Sequence, residues 1–142
     1  MEIPPPHPGQ VVRYAYLWAD EHRRGQEEGS KERPCAIALA ITGARGELKV
    51  AVVPITHSPP ANEFDAIEMP PRVKARLGLD VERSWVVLTE VNEFVWPGPD
   101  LRPVPHAGFI YGQLPDKFFR RIQEGVIEAV KRRRMQQVRR TE

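Results

Sequence analysis

Few side chains in this sequence have both the type and the position that catalysis needs. The single cysteine, Cys35, shares the bulky face of a predicted strand with Ile37 and Leu39, which predicts a buried thiol. The four histidines are scattered without zinc-ligand spacing, so we expect neither a bound metal nor another cofactor. His57 remains a candidate acid or base, because imidazole exchanges a proton near neutral pH.

A second candidate acid or base is Glu90. It shares one face of a predicted strand with three apolar residues, Val86, Leu88 and Phe94. Apolar surroundings raise the pKa of a carboxyl group, and a raised pKa suits a general base. The alternative is an ordinary ion pair between Glu90 and an arginine such as Arg102.

Basic charge is concentrated at the C-terminal end of the chain. Residues 117–142 carry nine Lys or Arg against three Asp or Glu, whereas the preceding residues carry 12 against 16. Such a segment can follow nucleic-acid phosphates, although it is also typical of a solvated helix end. We expect a domain core over about residues 8–130, followed by a basic tail over 131–142.

The length and composition predict one small domain. A chain of 142 residues with 28% charged residues can build one packed core. The N-terminus has no basic and apolar regions of a signal peptide, and no apolar stretch approaches the roughly 18 residues that a membrane span needs. We therefore expect a single domain over residues 1–142, located in the cytoplasm and not in a membrane.

Apolar alternation in the first half of the chain predicts β-structure. Strands are predicted over residues 10–19, 34–42 and 48–55, with a tight turn joining the last two and a long exposed loop over 20–33. The strand over 34–42 alternates bulky residues with three alanines, Ala36, Ala38 and Ala40. This pattern predicts that both of its faces are covered.

The second half is predicted to contain a short strand over 64–69, a helix over 72–77, and one long or two short strands over 84–96. A closing helix is predicted over 115–134, because its apolar residues recur at helical spacing. It should pack on the sheet through Phe118, Phe119, Ile122 and Val126. The predicted fold class is mainly β, of the α+β type.

Three segments, in this order, resemble the PemK/MazF family of toxin endoribonucleases. They are a first strand and polar loop that end in Arg33-Pro34, a strand ending in Val-Pro-Ile-Thr at 53–56, and a later strand carrying an acidic residue at Glu90. The resemblance implies a small SH3-like β-barrel with a C-terminal helix, usually a homodimer with an antitoxin partner. It also implies cleavage of single-stranded RNA without a metal, by attack of the 2′-OH to give 2′,3′-cyclic phosphate and 5′-OH ends.

The resemblance also assigns site residues. The catalytic arginine of the family falls on Arg33, its threonine on Thr56 and its acidic residue on Glu90. A guanidinium and a hydroxyl donor can stabilise the negative charge that builds on the phosphorane oxygens, and the carboxylate or His57 can take the proton of the 2′-OH. RNA contacts are expected from Trp96, Lys31, Arg132 and Arg133, although Trp96 can equally close a core.

The sequence departs from the family pattern near Glu90. Some family members have an arginine where this chain has Leu88, and others have a basic residue where it has Asn92 and Glu93. These departures make the expected cleft less basic. The alternative function is therefore a non-catalytic member of the same fold that acts by binding a protein, as CcdB-like gyrase inhibitors do, or by binding nucleic acid.

Overall fold

The computed structural model describes residues 3–29, 31–105 and 108–140. In these ranges the chain forms nine strands, three α-helices and one 3₁₀ turn at Glu63–Asp65. The strands are β1 Gln10–Tyr14, β2 Arg33–Thr42, β3 Leu48–Thr56, β4 Ala66–Glu68, β5 Trp85–Val87, β6 Glu90–Val95, β7 Leu101–Arg102, β8 Ile110–Gln113 and β9 Gln136–Arg139. The helices are α1 Ala19–Arg23, α2 Pro71–Arg76 and α3 Asp116–Lys131.

The strands form one mainly antiparallel sheet. Its main path runs β4-β5-β3-β2-β1-β7, with β6 paired to β3, β8 paired to β1, and β9 paired in parallel to β6. The mainly β, α+β prediction is confirmed. The strand pairings of the described ranges do not close into a ring, so this sheet is open and shows no barrel.

Apolar side chains cover both faces of the sheet. One face carries the first core, which contains Val11, Ala36 and Val53 together with Phe118 and Ile122 of α3. The opposite face carries the second core, whose members are Val12, Tyr14, Tyr16, Cys35, Ile37, Val50, Val52, Phe94 and Leu101. This division follows from the two-residue period of β-strands, which sends neighbouring side chains to opposite faces.

A β-bulge changes the predicted faces of β2. The register with β3 shifts between Ile37 and Leu39, so that Ala38 lies in the first core while Ala40 packs against the second. The three alanines therefore do not share one face, because the extra residue of a bulge reverses the alternation. The prediction that both faces of this strand are covered is wrong beyond the bulge, where Leu39 is 51% exposed and Ile41 48% exposed.

The predicted long loop over 20–33 contains helix α1, which sequence periodicity did not indicate. Strand β1 ends at Tyr14, five residues before the predicted end, and the chain enters α1 at Ala19. Side chains stabilise the start of this helix: the Glu21 carboxylate accepts the backbone N–H of Trp18 at 3.0 Å, as in one half of a capping box. Only residues 24–32 connect α1 to β2.

The closing helix α3 packs on the first core as predicted. Phe118 and Ile122 are buried, and Phe119 and Val126 pack against the same core. The helical spacing of apolar residues continues to Val130, but this side chain is 56% exposed. Among the helices of the described residues, none is long and apolar enough to cross a membrane.

Part of the predicted basic tail belongs to the sheet. Residues 136–139 form β9 beside β6, and Val138 at its centre is 2% exposed. The next residue, Arg140, is also buried and binds the backbone carbonyl of Ala15 at 2.8 Å and the carboxylate of Asp100 at 3.1 Å. The prediction that the core stops near residue 130 is therefore wrong for residues 136–140, while residues 141 and 142 lie outside the described ranges.

Candidate functional site

Four of the predicted site residues line one cleft. The cleft has a volume of about 650 Å³, within the usual range for ligand pockets, and Lys31, Arg33, Thr56 and His57 all contribute to its walls. The other lining residues are Trp18, Glu32, Pro34, Ile55, Ser58, Lys74, Gly78, Leu79, Asp80, Ser84, Val87, Pro105 and Tyr111. The cleft lies where β2 begins and β3 ends.

The segment that carries the cleft cations is held against the chain beyond β1. A Cβ atom at Gly29 would lie 2.4 Å from the carbonyl oxygen of Tyr16 and 2.7 Å from that of Ala15. Only glycine permits such a close backbone approach. Four residues later Arg33 pairs with Tyr14 in the β1–β2 ladder, so the segment from 29 to 33 is fixed at both of its ends.

Arg33 presents a positive charge that no carboxylate of the described residues neutralises. Its guanidinium carbon lies over the Trp18 ring, 4.9 Å from the ring centroid, and its Nε is buried without a hydrogen-bond partner in the described part of the chain. A buried donor without a partner is unusual in a folded protein. The guanidinium is thus oriented by an aromatic face and keeps its capacity to bind an anion.

Thr56 and His57 lie together at the end of β3. The Thr56 hydroxyl oxygen accepts the backbone N–H of Ser58 at 3.2 Å, which leaves its own proton for donation. His57 Nε2 lies 2.9 Å from a carboxylate oxygen of Asp80, and its Nδ1 lies 3.4 Å from the carboxylate of Glu82. Asp80 therefore fixes the orientation of the imidazole.

The buried amine of Lys74 holds Asp80 in place. Lys74 Nζ lies 2.6 Å from the second carboxylate oxygen of Asp80 and donates to the Ser84 hydroxyl at 2.7 Å and to the carbonyl of Glu82. Burial alone would raise the pKa of Asp80, but the hydrogen bond and charge of Lys74, aided by His57, lower it below its ordinary value. Asp80 is thus an anion that can orient and stabilise a protonated imidazole.

Glu90 lies outside the cleft lining. Its carboxylate accepts hydrogen bonds from the Tyr16 hydroxyl at 3.0 Å and from the backbone N–H of Ala19 at 2.9 Å. Burial raises the pKa of Glu90, although these two hydrogen bonds partly oppose that effect. The alternative pairing with Arg102 is not formed, because Arg102 binds Glu32 instead. In this position the carboxylate supports the start of α1.

The remaining predicted RNA contacts are also outside the cleft. Trp96 stacks beside Phe94 in the second core and donates its indole N–H to the carbonyl of Pro4 at 3.0 Å, as expected of a side chain that closes a core. Arg132 pairs with Glu128 at 2.7 Å after the end of α3, and Arg133 follows it with an exposed side chain.

Several cleft residues carried no signal in the sequence. Trp18, Lys74 and Asp80 belong to no catalytic or binding motif in the sequence. The roles of Lys74 and Asp80 depend on the position of α2 and the loop after it, where Asp80 contacts His57, 23 residues earlier in the chain. Tyr111 also lines the cleft, and burial raises the pKa of its hydroxyl.

Comparison with known proteins does not identify a family. No family model matches this chain, and no curated protein matches it. The function of the cleft therefore rests on the chemistry of its own residues.

Proposed function

We propose that the protein is a PemK/MazF-like endoribonuclease that cleaves single-stranded RNA in the cytoplasm. The observation that carries the proposal is the convergence of Arg33, Thr56 and His57 on one cleft, with the Arg33 guanidinium free of any ion pair among the described residues. A cation, a hydroxyl donor and an oriented imidazole are the groups that attack by a ribose 2′-OH requires.

Each group has a defined part in the proposed reaction. His57 takes the proton of the 2′-OH as the 2′-oxygen bonds to phosphorus, and Asp80 stabilises the imidazolium that forms. Arg33 and Thr56 stabilise the negative charge of the phosphorane. The bond from phosphorus to the 5′-oxygen then breaks, and that oxygen takes a proton from solvent. The products are a 2′,3′-cyclic phosphate and a 5′-hydroxyl.

We assign the base to His57 rather than to Glu90 because of where the two groups lie. We assign the tautomer in which Nε2–H donates to Asp80, so that Nδ1 is the basic nitrogen of His57. The Glu82 carboxylate 3.4 Å from Nδ1 belongs to a side chain that is 70% exposed. Glu90 is outside the cleft lining and is occupied by two hydrogen bonds.

The test is cleavage of end-labelled single-stranded RNA in EDTA, with single-stranded DNA as the negative substrate. Arg33→Ala should lower the rate by about 10² to 10³, the usual loss on removing one preorganised transition-state donor, and Thr56→Val should also slow cleavage. Arg45→Ala is the matched control, because Arg45 is an exposed arginine in the β2–β3 turn. It should cleave at the wild-type rate and give the same cyclic phosphate ends.

Two outcomes would contradict the proposal. Equal cleavage by wild type and Arg33→Ala would indicate a contaminating nuclease. No cleavage together with inhibition of gyrase supercoiling would move the protein to the CcdB-like class that acts by protein binding.

The resemblance adds three further parts to the proposal: an SH3-like barrel ancestry for the open sheet, a homodimer, and an antitoxin partner. The exposed Leu39 and Ile41 on β2 support an interface of some kind, since large apolar side chains side by side favour association. Sedimentation at micromolar concentration tests the dimer, and a monomer would remove it. A small acidic protein encoded beside this gene would support the antitoxin.

A further inference from the structure

A second depression adjoins the cleft. It has a volume of about 420 Å³ and shares Lys31 and Glu32 with the cleft lining, so the two are continuous. Its walls carry three cations, Arg13, Lys31 and Arg102, and one carboxylate, Glu32. The formal charge of these four groups, with the Glu32 carboxylate included, is therefore +2.

Two of the cations face each other on paired strands. Arg13 of β1 lies directly opposite Arg102 of β7, a placement that is destabilising for like charges. Glu32 bridges them, 2.9 Å from an Arg13 nitrogen and 3.3 Å from an Arg102 nitrogen. One carboxylate neutralises one of the two charges, so an uncompensated positive charge remains on side chains that are about one third exposed.

Both guanidinium groups are held in place by backbone carbonyls. Arg13 donates to the carbonyl of Pro103 at 3.2 Å, and Arg102 donates to the carbonyl of Pro99 at 2.6 Å. Arginines fixed in this way lose little side-chain entropy when they bind an anion, and their planar forks suit phosphate oxygens. Lys31, between this pair and Arg33, makes the positive surface continuous.

We infer that the depression at Arg13, Arg102 and Lys31 is a second phosphodiester subsite of the cleft. This inference rests on the proposed function: the scissile phosphate binds at Arg33 and a phosphate further along the same RNA strand binds at Arg13 and Arg102. Glu32 competes with that phosphate for the two arginines and so limits the affinity. An extended single strand carries one phosphate per nucleotide, which is the repeating charge that two adjoining cationic subsites recognise.

The experiment measures binding without cleavage. A fluorescent octanucleotide of 2′-O-methyl RNA lacks the attacking hydroxyl, so its Kd can be measured with the full chain by fluorescence anisotropy across a series of salt concentrations. Arg102→Gln should weaken binding about tenfold and flatten the salt slope by about 0.7, the change expected for losing one phosphate contact on a single strand. Arg45→Gln is the control and should leave both values unchanged.

A second variant reverses the sign of the effect. Glu32→Gln should tighten binding and steepen the salt slope, because it releases two arginines to the phosphate; a purely structural role of the ion pairs predicts no such gain. Thermal unfolding shows that each variant is folded. The subsite is overturned, and the proposed function stands, if wild type binds and cleaves RNA but the two variants do not behave as expected. That result is a Kd that Arg102→Gln and Glu32→Gln leave unchanged or shift in the same direction. If wild type binds no RNA, both are overturned.

Discussion

Arg33 and Trp18 form a cation–π contact in which the guanidinium carbon lies 4.9 Å from the indole centroid. The contact joins the first residue of β2 to the residue that precedes α1. It orients the guanidinium without neutralising it, whereas a carboxylate in the same place would pair with the guanidinium and cancel its charge. A tryptophan at this position thus explains how the Arg33 guanidinium can be held in place and still be able to bind an anion.

Trp18→Ala should therefore slow RNA cleavage by about tenfold, which corresponds to losing a partly desolvated cation–π contact. Trp18→Phe keeps an aromatic face and should recover most of the rate. The measurement is single-turnover cleavage at saturating enzyme, with circular dichroism to show that both variants are folded. Equal rates for the Ala and Phe variants would mean that Trp18 does not position Arg33.

His57→Ala should lower the cleavage rate by about 10² to 10⁴, the usual contribution of a general acid or base. Added imidazole should restore part of the lost rate in a concentration-dependent way, because the small molecule can occupy the space of the missing ring and take the 2′-OH proton. His22→Ala is the matched control, since His22 lies in α1 and outside the cleft lining. A rate loss that imidazole leaves untouched would argue for a structural role of His57.

Glu90→Gln tests whether the Glu90 carboxylate is catalytic or only structural. Because the folded-state pKa of Glu90 is raised, its contribution to stability is present below the unfolded value of about 4.3 and is lost as pH rises through the folded value. The amide can still accept from Ala19 and Tyr16 but carries no charge. Denaturant unfolding should therefore show the variant gaining stability relative to wild type between pH 4 and pH 7.

Cleavage by Glu90→Gln at the wild-type rate would agree with His57 as the base. A large rate loss with unchanged stability would instead return the role of base to Glu90. The control is Glu124→Gln on the exposed face of α3, which should not alter the pH dependence of the unfolding free energy.

The sequence predicts most strands because the alternation of apolar residues that defines a strand lies within a few consecutive positions. Apolar alternation places β2 and β3 within one or two residues, and the helical spacing of Phe118 and Ile122 places α3. The same pattern fails at the β2 bulge, since one extra residue reverses the alternation without any change in residue type. It fails again at β9, where the polar segment Gln136–Arg139 is a strand because β6 provides its partner.

The candidate site was predictable only in part. The resemblance assigns Arg33 and Thr56, His57 is a candidate because imidazole exchanges a proton near neutral pH, and Lys31 lies two residues before Arg33. The supporting groups depend on tertiary contacts that no local pattern encodes: Asp80 reaches His57 from the loop after α2, and Trp18 reaches Arg33 from the far end of a connection. Glu90 has the raised pKa that its apolar neighbours predict, yet its hydrogen bonds bring it to α1 rather than to the cleft.

The C-terminal segment gives the last prediction, which concerns stability. Deleting residues 131–142 would remove β9 and so could not report on RNA binding alone. Arg140→Ala is a sharper change, because the Arg140 side chain is 4% exposed and its loss leaves Asp100, itself 16% exposed, without this cation. Breaking a buried pair in this way typically lowers the free energy of unfolding by about 3 to 5 kcal/mol.

Arg139→Ala is the matched control, since the neighbouring side chain is 84% exposed and its nearest carboxylate oxygen, on Glu93, is 3.7 Å away. This variant should change the unfolding free energy by no more than about 0.5 kcal/mol. Denaturant unfolding of the two variants beside wild type provides the measurement. A large loss of unfolding free energy confined to Arg140→Ala would show that the basic end of the chain is part of the folded core. Similar small losses in both variants would mean that Arg140 is solvated in solution and that β9 does not depend on its contacts with Ala15 and Asp100.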